Sequence, residues 1–566
     1  MKKQFTVIDL FCGAGGFSEG FRQAGFKIIW AVDRWKLAVD THQENHPESQ
    51  TLCDDVIRLS KLPDIAFHSI IPDSDVIIGS PPCTYFSNSN RSGNGDVSEG
   101  KELIKAFLRI VARKKFKRGS ILKYWILENV PKVRPHIKSS YTAQQLGIKG
   151  QFTLKVKSPT SQEYNAKYFG VPSNRIRYFC GEFPAPIRTI LNDDGLIPLK
   201  AILSQLGDPK EKVHDQITDP LYPFQMNGED VTDHHYIQEL AEFESEKILR
   251  LKQDKGYMGK MAVPENPEKP ARTIMATMSF TSRECFVLGH SNNQLRAPTI
   301  REVASLMSFP IDYRFYGTSL GTKYKLVGNA VPPKLAFAFA KAILNAEQCD
   351  CPSYYIPIHH AQRVDFMNLN FDEIAVKEEK RKRITTRFRY HIPKFKFDTY
   401  RVELTNHHSN FERRLFKWDT EIHYNQGKDK AKVYVPKVTK IDLTNNDTRK
   451  LELFLTRINK HLVSFYDFQL TYCMTTKEIR KNHLVGPYEL LEQVKQFIQH
   501  EFSENLNDYV TLECQPHVLP KPIALGYVIL SGCLDAMRKI PDGQSKQIRH
   551  LWPSDEFTNT RSKKYP

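Results

Sequence analysis

The sequence predicts an α/β fold: a mostly parallel sheet covered on both faces, followed by a small subdomain and an extra α+β domain. Three observations predict it. From Phe5 to about Phe183, short apolar runs alternate with helical patterns, as expected for strands buried on both faces. The pattern loosens from 184 to about 295 and returns in TIREVASLMSF (299–309) and KLAFAFAKAILNA (334–346). After about Cys351 the composition shifts, and residues 377–401 carry ten Lys/Arg against three acids.

Taken in order, FTVIDLF (5–11) reads as a buried strand and SEGFRQAGF (18–26) as a helix with a glycine stop. KIIWAVD (27–33) is a second strand and LAVDTHQENH a second helix. SDVIIGS (74–80), YWILENV (124–130) and IRYFCGEF (176–183) are further strands. DHHYIQELAEFESEKILRLKQ (233–253) reads as helical and ARTIMATMSF (271–280) as strand-like. Beyond 352, RVELTN, KWDTEIHYN and KVYVPKV read as strands. LELFLTRINKHLVSFYDF and YELLEQVKQFIQHEF read as helices.

A chain of 566 residues allows several domains, and 40% hydrophobic with 26% charged residues is ordinary for a globular protein. The net charge of +17 points to a polyanionic partner, nucleic acid first. Ten cysteines without a CxxC pair offer neither a zinc knuckle nor a disulfide framework, so a reducing compartment fits. No apolar stretch approaches the length of a membrane span, and the N-terminal apolar run is too short for a signal peptide.

Four motifs carry chemistry. IDLFCGAGGF (8–17) runs a strand into a glycine-rich turn that opens a helix, and a second strand ends at Asp33. Glycines let the backbone approach a ligand, and a carboxylate at Asp33 can hold ribose hydroxyls. The turn serves a nucleoside-containing cofactor or is structural; it is not a P-loop. In SDVIIGSPPC a strand delivers Pro81, Pro82 and Cys83 at its carboxyl end, where ligand crevices of open α/β sheets lie. The prolines fix φ and make a rigid pedestal, so Cys83 is a candidate nucleophile beside the alternative of an inert buried thiol. Glu128 in WILENV follows an apolar strand, where burial favours a protonated carboxyl able to donate to a ring nitrogen; a strand-end salt bridge is the alternative. In SNRIRYF, Arg175 and Arg177 share one strand face opposite Ile176, either to hold a ligand oxygen or as an ordinary ion pair.

In this order DLFCGAGG, PPC with a polar loop, ENV, NRIRYF, PTIREVASLMSFP (298–310) and GNAVPP (328–333) resemble the DNA cytosine-C5 methyltransferases of restriction–modification type. The resemblance covers roughly 4–346 and implies a Rossmann-like class I methyltransferase core with S-adenosyl-L-methionine as cofactor and S-adenosyl-L-homocysteine as product. It implies that Asp9, Phe11, Gly13, Ala14, Gly15 and Gly16 form the cofactor turn and that Asp33 binds ribose. Arg34, Asp55, Val56, Pro81, Asn329 and Ala330 complete the cofactor site, with Asp55 and Val56 flanking the adenine. Asn329 also braces the junction with the second domain. Cys83 attacks C6 of a flipped-out cytosine, Glu128 contacts N3 and the exocyclic amine, Arg177 contacts O2, and Arg175 assists. No metal is implied.

The sequence departs from the family pattern at Thr84 and Ser173, where glutamines are usual, and at Arg34, with Trp35 one residue later. The resemblance implies 1–184 as catalytic core, 185–297 as target-recognition subdomain and 298–346 as the segment completing the core. Residues 352–566 form an accessory domain for which the basic–aromatic segment 387–401 suggests DNA contact; a lysine- and arginine-blunted edge strand is the alternative. The expected partner is double-stranded DNA in the bacterial cytoplasm, with a monomeric chain, no membrane and a cognate restriction endonuclease acting on the same site. Two rival readings are a tRNA cytosine-C5 methyltransferase, whose branch carries a CFT tripeptide not found here, and a fused C-terminal nuclease, for which no PD…(D/E)xK or H-N-H spacing stands out.

Overall fold

The computed structural model describes residues 4–82, 97–210, 216–253, 261–280, 282–289, 294–361, 374, 376–397, 399–424, 432–436, 441, 443–503, 506, 508–511 and 518–552. The chain divides into two compact units, one of 1–240 with 262–376 and one of 241–261 with 377–566.

The first unit is built on a seven-stranded sheet. Its strands are β1 (Thr6–Leu10), β2 (Lys27–Asp33), β3 (Gln50–Cys53), β4 (Val76–Gly79), β5 (Tyr124–Asn129), β6 (Gln162–Asn165) and β7 (Ile176–Glu182), in the order β3-β2-β1-β4-β5-β7-β6. The first five are parallel, while β7 runs antiparallel to both β5 and β6. The order reverses between β1 and β4, so the crevice at this switch point opens at the carboxyl ends of β1, β2, β4 and β5.

Period two sorts the strand side chains into two cores. Val7, Ile28, Val76, Ile78 and Ile126 pack against α1 (Gly16–Gln23) and a helix near the end of the unit, Pro333–Ala346, through Phe17, Phe21, Leu335, Phe339 and Ile343. Ile8, Leu10, Trp30, Val32, Ile77, Trp125 and Leu127 face the other way, onto Ile104, Phe107 and Val111 of the helix Val97–Lys115. The continuous apolar runs of the sequence therefore reflect burial on both faces. Close packing of α1 on Pro333–Ala346 depends on Gly20, where a Cβ would stand 2.4 Å from both Ala336 Cβ and Pro333 O.

Two element readings between 233 and 280 need correction. The run 233–253 is helical only over Glu242–Gln253. Its first part is pinned by long-range partners: Asp233, at φ 63°, binds the buried Lys323 Nζ at 2.7 Å, and Tyr236 Oη accepts the Ile300 N–H at 2.7 Å. These contacts hold the backbone off helical geometry. ARTIMATMSF is a strand only at Ala271–Arg272, which pairs in parallel with Ser173–Asn174. Beyond it the chain passes hard against Gly328, where a Cβ would lie 2.2 Å from Met275 O.

The second unit is an α+β assembly. Arg389–Phe397, Tyr400–Thr405, Asp419–Tyr424 and Lys432–Tyr434 form an antiparallel meander in that order, with Arg389–Phe397 at one edge. Ile392, Val402, Leu404 and Ile422 pack with Ile523, Ile529 and Leu530 of the helix Lys521–Arg538. On the polar face Glu403, Glu421 and His423 lie close enough to hold a cation. Their charge is met by arginines, with Arg389 Nε donating to Glu403 at 2.6 Å and Arg401 Nε at 2.5 Å. LELFLTRINKHLVSFYDF is two helices, because Ser464 caps a new one (Phe465–Cys473) by accepting the Asp467 N–H after Asn445–Asn459 ends. No helix of the described residues is long and apolar enough to cross a membrane.

Candidate active site

The glycine turn leaves β1 through three left-handed residues, Phe11 (φ 63°), Gly13 (φ 53°) and Gly15 (φ 85°). For a bulky residue such as Phe11 this conformation is strained, and such strain concentrates at ligand sites. Asp33, at the end of β2, holds the turn: its Oδ2 accepts the Gly13 N–H at 3.0 Å and its Oδ1 the Trp35 N–H at 2.8 Å. Burial raises the Asp33 carboxyl above its ordinary value, and these two hydrogen bonds partly offset the rise. Tyr313 Oη donates to Ala14 O at 2.5 Å from behind.

Asp9 lies beneath the turn. Ser18 Oγ donates to its Oδ2 at 2.7 Å, while Oδ1 has no protein partner. Burial pushes the Asp9 carboxyl up to about 8, so it is largely protonated at neutral pH and can donate.

Across the crevice, β4 delivers Ser80, Pro81 and Pro82. Asn129 Nδ2 donates to Pro81 O at 2.9 Å and so fixes the proline step to β5. Cys83 lies outside the described residues. Glu128 is 4% exposed. Ser80 Oγ donates to its Oε2, and Arg177 Nε approaches its Oε1 at 3.3 Å. Both partners of the carboxylate thus come from neighbouring strands.

Arg175 is used differently. Its Nη1 donates to Ile274 O at 3.1 Å, and its Nη2 to Gly328 O and Ala330 O, each at 3.0 Å. It clamps the entry to β7 onto two later segments of the same unit. Ile176 points away and is 41% exposed, as the alternation predicts.

Asp9, the glycine turn, Asp33, Ser80, the proline step, Glu128 and both arginines border one cavity of about 900 Å³. Of the residues singled out from the sequence, Asp9, Phe11, Gly13, Ala14, Asp33, Arg34, Asp55, Val56, Pro81, Glu128, Arg175, Arg177, Asn329 and Ala330 line it. Gly15 and Gly16 do not: a Cβ on Gly15 would meet Tyr313 Oη at 2.5 Å, and one on Gly16 would meet Val331 O at 2.2 Å. They allow close packing behind the turn. Asp55 caps the helix Val56–Ser60 by accepting the Ile57 N–H at 2.7 Å. Sequence reasoning passed over Ser80, Asn129, Asp54, Lys325 and Met275. For the first two, inside SDVIIGSPPC and WILENV, a hydroxyl or amide beside a catalytic candidate was the available signal. Lys325 Nζ sits 4.8 Å over the Trp35 ring at the cavity wall.

One end of the cavity therefore offers two buried carboxyls at a strained turn. The other offers a buried carboxylate–guanidinium pair suited to the polar edge of a planar heterocycle. This is an α/β enzyme of the kind that binds a nucleoside-type ligand at the carboxyl ends of a parallel sheet.

Residues 5–345 match the model of the C-5 cytosine-specific DNA methylases, and the chain belongs to that family. It is 32% identical over 355 residues to the type II methyltransferase M1.HphI of Haemophilus parahaemolyticus, covering 60% of this chain and 86% of that one. To the type II methyltransferase M.MthTI of Methanothermobacter thermautotrophicus it is 27% identical over 355 residues, covering 60% and 96%. A solved structure of the S. pombe Dnmt2 methyltransferase covers 61% of this chain and 99% of its own, at 17% identity and a TM-score of 0.40. The activity of the chain is DNA cytosine-5 methylation.

Proposed function

We propose that the chain transfers a methyl group from S-adenosyl-L-methionine to C5 of a cytosine flipped out of duplex DNA, through a covalent bond from Cys83 to C6, and that this marks host DNA against a cognate restriction endonuclease. The observation that carries the reading is the Glu128–Arg177 pair, 3.3 Å apart, in the same cavity as the Asp33-held glycine turn.

The cavity residues fit the cofactor. Asp33 supplies a carboxylate for ribose hydroxyls, Val56 an apolar side for adenine, and Asp9 an unpartnered buried oxygen beneath the turn. When bound, the cofactor supplies an electrophilic methyl on a sulfonium. Pro81, braced by Asn129, borders that end of the cavity.

Cytosine C5 is a poor nucleophile, and the chain's residues change that. Addition of the Cys83 thiolate to C6, with Glu128 assisting at N3, makes C5 enamine-like. Arg177 holds O2 and, through Glu128, fixes the ring plane. After C5 has taken the methyl, loss of its proton and departure of the thiolate restore the aromatic ring. Ser80 keeps the Glu128 carboxyl in one orientation throughout. Base flipping gives the site access to a ring otherwise stacked in the duplex.

The test is labelled methyl transfer to duplex DNA by the full chain and by Cys83→Ser. The variant should bind cofactor normally and transfer no methyl, and DNA containing 5-fluorocytosine should become covalently attached to the unaltered chain at Cys83. Full turnover by Cys83→Ser would overturn the covalent reading.

A further inference from the structure

The segment 241–261 lies in the sequence between two parts of the first unit, yet it belongs to the second. The helix Glu242–Gln253 is fully built into that unit. Ile248 and Lys252 are 0% exposed. Arg480 binds both Glu242 and Glu246, Arg250 lies 4.2 Å over the Tyr488 ring, and Lys377 Nζ is 3.6 Å from Glu244. The second unit is therefore threaded through the region that follows the arginine motif, rather than appended after the last core helix.

It also carries most of the net positive charge. Residues 241–261 and 377–566 hold 39 Lys/Arg and 27 Asp/Glu, a net of +12, against +5 for the remainder. Many of its cations are spent internally: Arg381 binds Glu478 at 2.9 Å, Arg389 and Arg401 bind Glu403, and Arg480 binds the inserted helix. In the edge strand Arg389–Phe397, the Arg389 charge is spent on Glu403 and Glu421.

Two of the unit's exposed cations, Arg413 and Lys417, lie on the connection between Tyr400–Thr405 and Asp419–Tyr424. There FERRLFK (411–417) has three cations and one acid. Arg413 is exposed, and the Lys417 side chain is 56% exposed, with its Nζ 3.5 Å from Asp419 Oδ1. Arg387, also exposed, joins them: its guanidinium lies 5.6 Å over the Phe411 ring, and the neighbouring Phe388 N–H donates to Asn406 Oδ1 at 2.6 Å. Leu415, 62% exposed, stands among them as an apolar side chain. Exposed guanidinium and ammonium groups beside an aromatic ring match a polyphosphate backbone, whose contacts give affinity by counterion release.

We propose that the second unit is a DNA-gripping part of the target-recognition apparatus and that Arg387, Arg413 and Lys417 contact duplex phosphates. This rests on the reading of duplex DNA as substrate. The patch adds binding energy outside the catalytic cavity, and the inserted helix ties that grip to the recognition region of the chain.

The test uses the full chain with R387Q/R413Q/K417Q and, as control, R457Q/K460Q/K481Q, which removes equal charge from exposed positions elsewhere in the same unit. Duplex binding is followed by anisotropy across a salt series, and methyl transfer gives kcat and the KM for DNA. For the patch variant, the salt slope of log K should shrink by about 2–3, at about 0.9 per lost phosphate contact. Its KM for DNA should rise about 10–100-fold, with kcat at saturating DNA within about twofold. The control should keep the original slope. An unchanged slope and KM in the patch variant, or equal losses in the control, overturns the proposal. Failure of the unaltered chain to methylate any duplex would instead strike the reading on which it rests.

Discussion

Arg177 Nε lies 3.3 Å from Glu128 Oε1 because β7 runs antiparallel to β5 with Phe179 in register with Glu128, which sets Arg177 on the diagonal of the same face. A parallel neighbour in the same order would carry the arginine away from the carboxylate. The antiparallel turn of β7 is thus what assembles the heterocycle-binding end of the cavity.

Arg177→Ala should lower kcat/KM for methyl transfer by about 10²–10³, the usual effect of removing one preorganised charged donor. The melting temperature should fall less steeply than activity, since the buried Glu128 loses its guanidinium but keeps the Ser80 hydroxyl. Arg177→Lys should recover part of the loss. Steady-state kinetics alongside a thermal melt decide it, and equal losses of stability and activity would count against a role in the reaction.

Arg175→Ala should behave in the opposite way. Its three bonds to Ile274 O, Gly328 O and Ala330 O are buried, and their loss leaves carbonyls without a donor. A destabilisation of about 2–4 kcal/mol is expected, read by denaturant unfolding, with cofactor affinity falling in parallel.

Ser80→Ala removes the hydroxyl that fixes Glu128 Oε2. Turnover should drop about tenfold, since misoriented general acids lose part of a factor of about 10²–10⁴. The KM for DNA should stay constant, and Ser80→Thr should restore activity.

Gly20→Ala forces α1 away from Pro333–Ala346, where the added Cβ would stand 2.4 Å from Ala336 Cβ. Overpacking of this kind costs about 1–3 kcal/mol. A lowered unfolding midpoint in denaturant is the expected readout.

Asp9 gives the chain a pH signature. Its carboxyl is raised to about 8 in the fold from an ordinary 3.8. Between those values the folded chain keeps a proton that the unfolded chain releases, so its contribution to stability is full below 3.8 and is lost as pH rises through 8. Asp9→Asn cannot titrate. The melting temperature of the variant relative to the unaltered chain, without cofactor, should therefore rise steadily from pH 5 to pH 8 by about a few degrees. A pH-independent difference would refute the shifted carboxyl.

Much of the site was legible in the sequence. The glycine turn, Asp33, the Pro81–Pro82 step, Glu128 and the arginine pair are each local features of a strand end, and a parallel sheet brings strand ends together. The division of labour between Arg175 and Arg177 was not legible, because period two puts both on one face and says nothing about which carbonyls or carboxylates wait there. That Gly15 and Gly16 also admit Tyr313 and Val331, from segments some three hundred residues later in the chain, was not legible either.

By itself the sequence determined the alternating buried strands, the turn that opens the crevice and the chemistry at its rim, because apolar periodicity and glycine or proline constraints act within a few residues. Only the tertiary structure decided that 233–241 leaves the helix it seems to begin, that Glu242–Gln253 packs in the second unit, and that Ser80 and Asn129 serve Glu128 and Pro81. Each of these depends on a buried ion pair, a ring contact or a hydrogen bond between distant residues. Such contacts exist only once particular surfaces have met, and no local pattern encodes which surfaces those will be.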